Sequence, residues 1–67
     1  MPIVEVTLVN GRSQEELRAM ISAVTTAVSE TVAAPVESIR VIIREVPTTH
    51  FAAGGVTIAE RRAGQLS

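Results

Sequence analysis

The sequence predicts a small α/β (α+β) fold: a single βαβ unit with parallel strands, followed by a short C-terminal hairpin. Residues 3–9 and 39–46 are rich in β-branched side chains with the two-residue period of strands, and residues 14–33 carry apolar side chains at helical spacing. A helix of that length spans about 30 Å, enough to recross a sheet, so the strands before and after it should be parallel. We expect one domain over residues 1–67.

The first strand has two partly apolar faces, as expected for a strand that is covered on both sides. One face carries Val4, Val6 and Leu8, and the other carries Ile3, Glu5, Thr7 and Val9. Asn10-Gly11 then forms a turn. Ser13 followed by Glu16 is a capping-box pattern, which predicts the start of the helix, and Pro35 closes the helical region.

The C-terminal third predicts a second strand, a turn and a tail. Residues 39–46 form the strand, and Pro47 to Thr49 end it. Residues 50–55 indicate a tight turn, and residues 56–58 a short strand or hairpin arm. The polar tail from Glu60 to Ser67 is expected to fray. Two long strands alone do not make a stable sheet, so we expect pairing with another protomer.

Composition favours a self-associating protein. Hydrophobic residues make up 46% of the 67 residues, too many for one small core, and there is no cysteine. The net charge of −1 and a single aromatic residue argue against nucleic-acid binding. No apolar run reaches membrane-spanning length and no secretory leader is visible, so we expect a cytoplasmic protein without membrane partners. We expect no metal and no other cofactor.

Pro2 is the first candidate for chemistry. If Met1 is removed, which a small second residue permits, the chain begins with a free secondary amine. Terminal amines titrate at about 7.7–8.0, close to neutrality. Burial and a nearby guanidinium both disfavour the charged amine; at about 6 Å and an effective dielectric of 20, the arginine alone contributes about 3 kcal/mol. Such an amine can accept a proton and then donate it.

Several motifs in the same order and spacing resemble the 4-oxalocrotonate tautomerase family, over roughly residues 2–62. They are the initial Met-Pro-Ile, Gly11-Arg12-Ser13, the strand Ile39-Arg40-Val41-Ile42-Ile43, and His50-Phe51 before Gly54-Gly55. The resemblance implies the tautomerase (MIF-like) fold, in which two protomers form a four-stranded sheet and three dimers form a homohexamer. The histidine often found on the first strand of the family is Thr7 here.

The resemblance also implies roles for individual residues in a cofactor-free isomerase of aromatic hydrocarbon catabolism, acting on 2-hydroxydienoates such as 2-hydroxymuconate. Pro2 would be the proton shuttle. Arg12 would bind the distal carboxylate of a dicarboxylate substrate, and Arg40 of a neighbouring protomer would stabilise charge at the 2-oxo end. Phe51 would keep the pocket dry beside Pro2.

Each of these residues has an ordinary structural interpretation too. Arg12 could be an ordinary turn residue after the strand or a charge at the helix start, but a cation near a helix N-terminus is unfavourable, so its position favours anion binding. Arg40 or Arg44 could simply form a surface ion pair with Glu37 or Glu45. Phe51 could pack in a core or an interface, and His50 lacks the partners of a triad or metal site, so we interpret it as structural. Arg61-Arg62 is expected to meet solvent or a neighbouring protomer.

Two rival functions remain at this point. A hydratase or dehalogenase acting on unsaturated acids would benefit from a carboxylate that activates water, but the turn after His50 contains only alanine and glycine. A non-catalytic ring-forming or ligand-binding protein is the better interpretation if Met1 is retained, because a proline nitrogen in an amide has no basic lone pair.

Overall fold

The computed structural model describes residues 1–65 and contains the predicted βαβ unit and hairpin. The elements are β1 Ile3–Val9, α1 Gln14–Val32, β2 Arg40–Val46, β3 Ala52–Ala53, β4 Val56–Thr57 and α2 Ile58–Gln65, with 3₁₀ turns at Val36–Ser38 and Thr48–His50. Strands β1 and β2 are parallel, in register from Ile3 opposite Arg40 to Val9 opposite Val46. Strands β3 and β4 are antiparallel. The predicted fold class is confirmed.

The β1–β2 sheet is covered on one face only. Helix α1 packs against β2, and the side chains on the covered face are half-buried: Val4, Val6, Leu8, Val41 and Ile43. Ile39, immediately before β2, is 9% exposed. On the opposite face Ile3 is 56% exposed and Ile42 is 43% exposed. The expected cover on both faces of β1 is therefore absent within the described part of one chain, and we call this uncovered side the open face.

Helix α1 begins where the capping box predicts. The Ser13 hydroxyl accepts a hydrogen bond from the Glu16 amide at 3.1 Å, and the Glu16 carboxylate accepts one from the Ser13 amide at 2.9 Å. The helix ends at Val32 because Ala33 adopts a left-handed conformation, with φ 55°, that a helix cannot continue. Pro35 thus lies beyond the helix end and does not set it.

The prediction of a fraying tail is wrong for the residues that the structure describes. Residues 58–65 form helix α2, which begins with a second capping box. The Thr57 hydroxyl accepts a hydrogen bond from the Glu60 amide at 3.1 Å, and the Glu60 carboxylate accepts one from the Thr57 amide at 2.8 Å. The spacing from Thr57 to Glu60 is the same capping-box pattern as that from Ser13 to Glu16, and it could have predicted the start of α2. The last two residues of the tail lie outside the described part.

The chain is extended and not compact. Its Cα radius of gyration is 15.5 Å and its extents are 49 × 25 × 15 Å. A compact chain of this length would have a radius of about 11 Å. Its accessible surface of 4927 Å² also exceeds the about 4,100 Å² typical of a folded monomer of this mass. This shape matches a protomer that completes its core against other chains.

Candidate active site

Pro2 and Arg40 are neighbours at the amino end of the sheet, which we define as the end where β1 and β2 begin. The Arg40 amide donates a hydrogen bond to the Pro2 carbonyl oxygen at 3.0 Å. The Arg40 side chain lies on the open face, and its guanidinium donates to the Glu37 carbonyl at 3.0 Å. Because side chains alternate along a strand, the Pro2 ring lies toward the opposite face. The Arg40 guanidinium is thus presented outward, away from the Pro2 of its own chain.

The Pro2 nitrogen lies in the Met1–Pro2 peptide bond of the described chain, and it has no basic lone pair there. The Met1 side chain is 83% exposed, so this first residue is accessible to an aminopeptidase. Pro2 itself is half-buried. Removal of Met1 would therefore create a secondary amine at a partly desolvated position, beside the backbone of Arg40.

Arg12 lies at the carboxyl end of the sheet, which we define as the end where β1 and β2 stop. Gly11 has φ 125°, a conformation that side chains disfavour, and it turns the chain from β1 toward α1. The exposed Arg12 guanidinium donates to the Val9 carbonyl at 3.2 Å. The pKa of Glu16 is lowered, chiefly by the hydrogen bond from the Ser13 amide, next by the Ser13 side chain, and least by the charge of Arg12.

Phe51 also follows the carboxyl end of the sheet, through β2 and the 3₁₀ turn Thr48–His50. Its side chain is 37% exposed, so its own chain does not fully enclose the ring. Its carbonyl accepts a hydrogen bond from the Ile58 amide at 2.9 Å, which ties the residue to the first turn of α2. The ring is left available as a wall for a surface supplied by another chain.

The four predicted site residues therefore form two pairs at opposite ends of the sheet. Pro2 and Arg40 lie at the amino end, and Arg12 and Phe51 follow the carboxyl end. Strand β1 has 7 residues and thus separates Pro2 from Arg12 by about 20 Å. A single chain therefore does not bring Pro2 and Arg12 together, and a site that used all four residues would need the ends of different protomers.

Three further basic residues, Arg44, His50 and Arg61, have partners within the described chain. Arg44 forms an ion pair with Glu5 across the sheet at 3.2 Å, and not with the expected Glu37 or Glu45. The His50 ring lies 3.0 Å from the Thr49 hydroxyl, in a local contact. Arg61 is exposed to solvent, as expected, and its guanidinium also donates to the Ala53 carbonyl at 3.1 Å. No sequence motif marks that contact, because it depends on the unpredicted helix α2.

A shallow concavity on α1, lined by Gln14, Glu15, Arg18, Ala19 and Ser22, includes none of the four predicted site residues. Across residues 1–65 no three His, Cys, Asp or Glu side chains cluster in a way that could hold a metal ion. In the same residues, no helix combines the length and apolar character needed to cross a membrane.

Comparison with known proteins agrees with the fold. A sequence model of the tautomerase family, described as "Tautomerase enzyme", matches residues 2–61. A probable tautomerase of Ralstonia nicotianae is 48% identical over 56 residues, 84% of this chain and 80% of the relative. A 2-hydroxymuconate tautomerase of Pseudomonas fluorescens is 44% identical over 55 residues, 82% of this chain and 87% of the relative.

Two solved structures have the same fold as this chain. TomN, a 4-oxalocrotonate tautomerase homologue in the tomaymycin biosynthetic pathway, superposes with a TM-score of 0.91 at 47% identity, over 92% of this chain and 95% of TomN. A heterohexamer 4-oxalocrotonate tautomerase from Chloroflexus aurantiacus superposes with a TM-score of 0.86 at 35% identity, over 90% of this chain and 97% of that one. The fold is that of the tautomerases. The chain belongs to the tautomerase family.

Proposed function

We propose that this protein is a cofactor-independent keto–enol tautomerase that converts 2-hydroxydienoates, such as 2-hydroxymuconate, into conjugated 2-oxo acids. The observation that carries the proposal is the position of Pro2, half-buried beside the Arg40 backbone behind an exposed Met1. The identity to a 2-hydroxymuconate tautomerase supports this substrate class. The proposal requires that Met1 is removed.

The Pro2 amine carries the proton in this reaction. As a neutral amine it accepts the proton of the 2-hydroxyl group, while the electrons of the O–H bond form the 2-oxo group and the double bonds shift along the chain. The resulting ammonium then donates the same proton to the distant carbon, which restores the amine. A single group with a pKa near neutrality can serve both steps.

The two arginines act on opposite ends of the substrate. Arg12 binds the distal carboxylate, with a guanidinium that has further N–H donors beyond the one given to the Val9 carbonyl. Arg40 of a neighbouring protomer faces the 2-oxo end and stabilises the negative charge that develops on its oxygen, since the guanidinium of Arg40 is directed away from the Pro2 of its own chain. Phe51 excludes water and thereby strengthens both interactions.

Self-association completes the site. Two protomers that pair antiparallel through their sheets place the carboxyl end of one sheet against the amino end of the other, which would bring Arg12 and Phe51 toward the Pro2 of the second chain. The open face, with Ile3 and Ile42 exposed, provides apolar surface for further contacts. A homohexamer built as a trimer of dimers fits these requirements and the heterohexameric assembly of the Chloroflexus relative.

Replacement of Pro2 tests the function. Pro2→Ala should lower turnover of 2-hydroxymuconate by at least about 100-fold, because general acid–base catalysis typically supplies that much. Ultraviolet absorbance follows the reaction, and intact mass establishes that Met1 is absent from each preparation. Pro35→Ala is the matched control, since the Pro35 nitrogen always remains in a peptide bond, and it should retain activity.

Three results would count against the proposal. Undiminished turnover in Pro2→Ala would reject the proton shuttle. Retention of Met1 in the natural protein would favour the non-catalytic, ring-forming alternative. Water addition or dehalogenation of unsaturated acids, in a substrate panel without tautomerisation, would favour the hydratase or dehalogenase alternative.

A further inference from the structure

The hairpin that follows Phe51 is too small to be stable by itself. Strands β3 and β4 have two residues each, and isolated two-stranded hairpins are marginal even when they are longer. Gly54 and Gly55 have φ values of 60° and 80°, the left-handed conformations that a tight two-residue hairpin turn requires. The turn thus has suitable residues, but the strands contribute few hydrogen bonds.

Helix α2 supplies the missing support. The Ile58 amide donates to the Phe51 carbonyl at 2.9 Å, at the base of the hairpin. The Arg61 guanidinium reaches back from the next turn of α2 and donates to the Ala53 carbonyl at 3.1 Å, beside the glycine turn. Helix α2 also packs against the 3₁₀ turn Thr48–His50 that precedes Phe51. The hairpin is therefore fixed to α2 at both its base and its tip.

We propose that Arg61 is a positioning residue for Phe51. Its hydrogen bond to the Ala53 carbonyl fixes the hairpin on α2, and so fixes the Phe51 wall that faces the Pro2 of a second protomer. This inference rests on the proposed function. A guanidinium suits the task because it is always charged and its hydrogen bond to a carbonyl is stronger than that of a neutral donor. Without it the Phe51 wall would move, water would reach the Pro2 amine, and the amine pKa would rise toward its ordinary value.

Arg62 provides a matched control, because it is an exposed arginine one residue further along α2 and the structure gives its side chain no hydrogen bond among the described residues. Arg61→Ala should lower kcat/KM about fivefold and move the acid limb of its pH profile to higher pH. It should also speed hydrogen exchange at the Ile58 amide. Arg62→Ala removes the same charge and should leave all three quantities unchanged.

The hydrogen-exchange rate and the acid limb of the pH profile test this inference separately from the proposed function. Equal exchange at the Ile58 amide in the two variants would overturn the fixation by Arg61, whether or not the protein is an enzyme. An unshifted acid limb in an active Arg61→Ala variant would overturn its link to Pro2. A wild-type protein that turns over no enol acid would reject the proposed function, and the exchange measurement would still test the hydrogen bond.

Discussion

Arg12 and Arg40 are held in the same way, because each is an exposed arginine near a strand end whose guanidinium donates to a backbone carbonyl of its own chain. Arg12 donates to the Val9 carbonyl three residues back, and Arg40 to the Glu37 carbonyl three residues back. Each hydrogen bond uses one of five N–H donors and orients the group without neutralising its charge. Both arginines therefore keep donors for an anionic ligand, whereas the charge of Arg44 is already balanced by Glu5.

The sequence could nominate these residues but could not place them relative to one another. Pro2, Arg12 and Phe51 were selected by residue type and by resemblance, which carry no distance information. Their separation follows from the parallel register of β1 and β2, because that register puts Arg40 beside Pro2 and leaves Arg12 at the other end. Arg61 was missed as a functional candidate because its partner is a backbone carbonyl, which no side-chain motif marks.

Kinetic constants should distinguish the two arginines. Arg12→Ala should raise KM about tenfold or more, because it removes a charge-assisted contact made to the substrate before reaction. Arg40→Ala should lower kcat about 100-fold, because its contact strengthens as charge develops. Arg18→Ala, which removes an exposed arginine from α1, serves as the control and should leave both constants unchanged. The same change of KM and kcat in the two variants would reject the division of roles.

The accuracy of sequence-based prediction varied between elements according to the range of the signal. The β1 bounds and the Ser13 cap were predicted correctly, because periodicity and capping act over a few residues. The turn expected over residues 50–55 is confined to Gly54-Gly55, since Ala52–Ala53 forms a strand. Helix α1 was expected over residues 14–33 and ends one residue earlier, at Val32, since Ala33 adopts the left-handed conformation without being a glycine. Helix α2 was missed because its polar composition outweighed a capping box that the sequence does contain.

The α2 capping box gives this helix a predictable pH dependence. The pKa of Glu60 is lowered, first by the hydrogen bond from the Thr57 amide and then by the Thr57 side chain. A lowered carboxyl pKa stabilises the folded state above the ordinary glutamate pKa, and this stabilisation is lost as the pH falls through the lowered value. Helix α2 should therefore weaken at acidic pH and remain intact at neutral pH.

Thr57→Ala tests the same box directly. Loss of an N-cap hydroxyl should speed hydrogen exchange in the first turn of α2 about fivefold at neutral pH, and should reduce the acid dependence of that exchange. Thr26→Ala is the control, because Thr26 is exposed in the middle of α1 and away from either cap. If exchange in the first turn of α2 were equally fast in wild type and Thr57→Ala at neutral pH, the Thr57 hydroxyl would not stabilise the start of the helix.

At the scale of the whole molecule, composition predicted self-association and the structure gives it a physical basis. The hydrophobic content of 46% remains partly on the surface of an extended chain, with the open face uncovered. The two halves of the predicted site lie at opposite sheet ends, so activity and assembly should be inseparable. Sequence could not specify which surfaces meet, because a face left apolar for a partner has the same residue pattern as a face buried in its own core.

Mixed assemblies test whether one site draws residues from two chains. Pro2→Ala and Arg12→Ala protomers, each nearly inactive at low substrate, should regain activity when refolded together, because a complete site forms wherever the intact Pro2 of one meets the intact Arg12 of the other. In a random equal mixture about a quarter of the sites would be complete. Wild type refolded with the double variant Pro2→Ala/Arg12→Ala is the control and should also give about a quarter of the sites. A site built within one chain would instead give about half in the control and none in the mixture of single variants, which would refute the shared site.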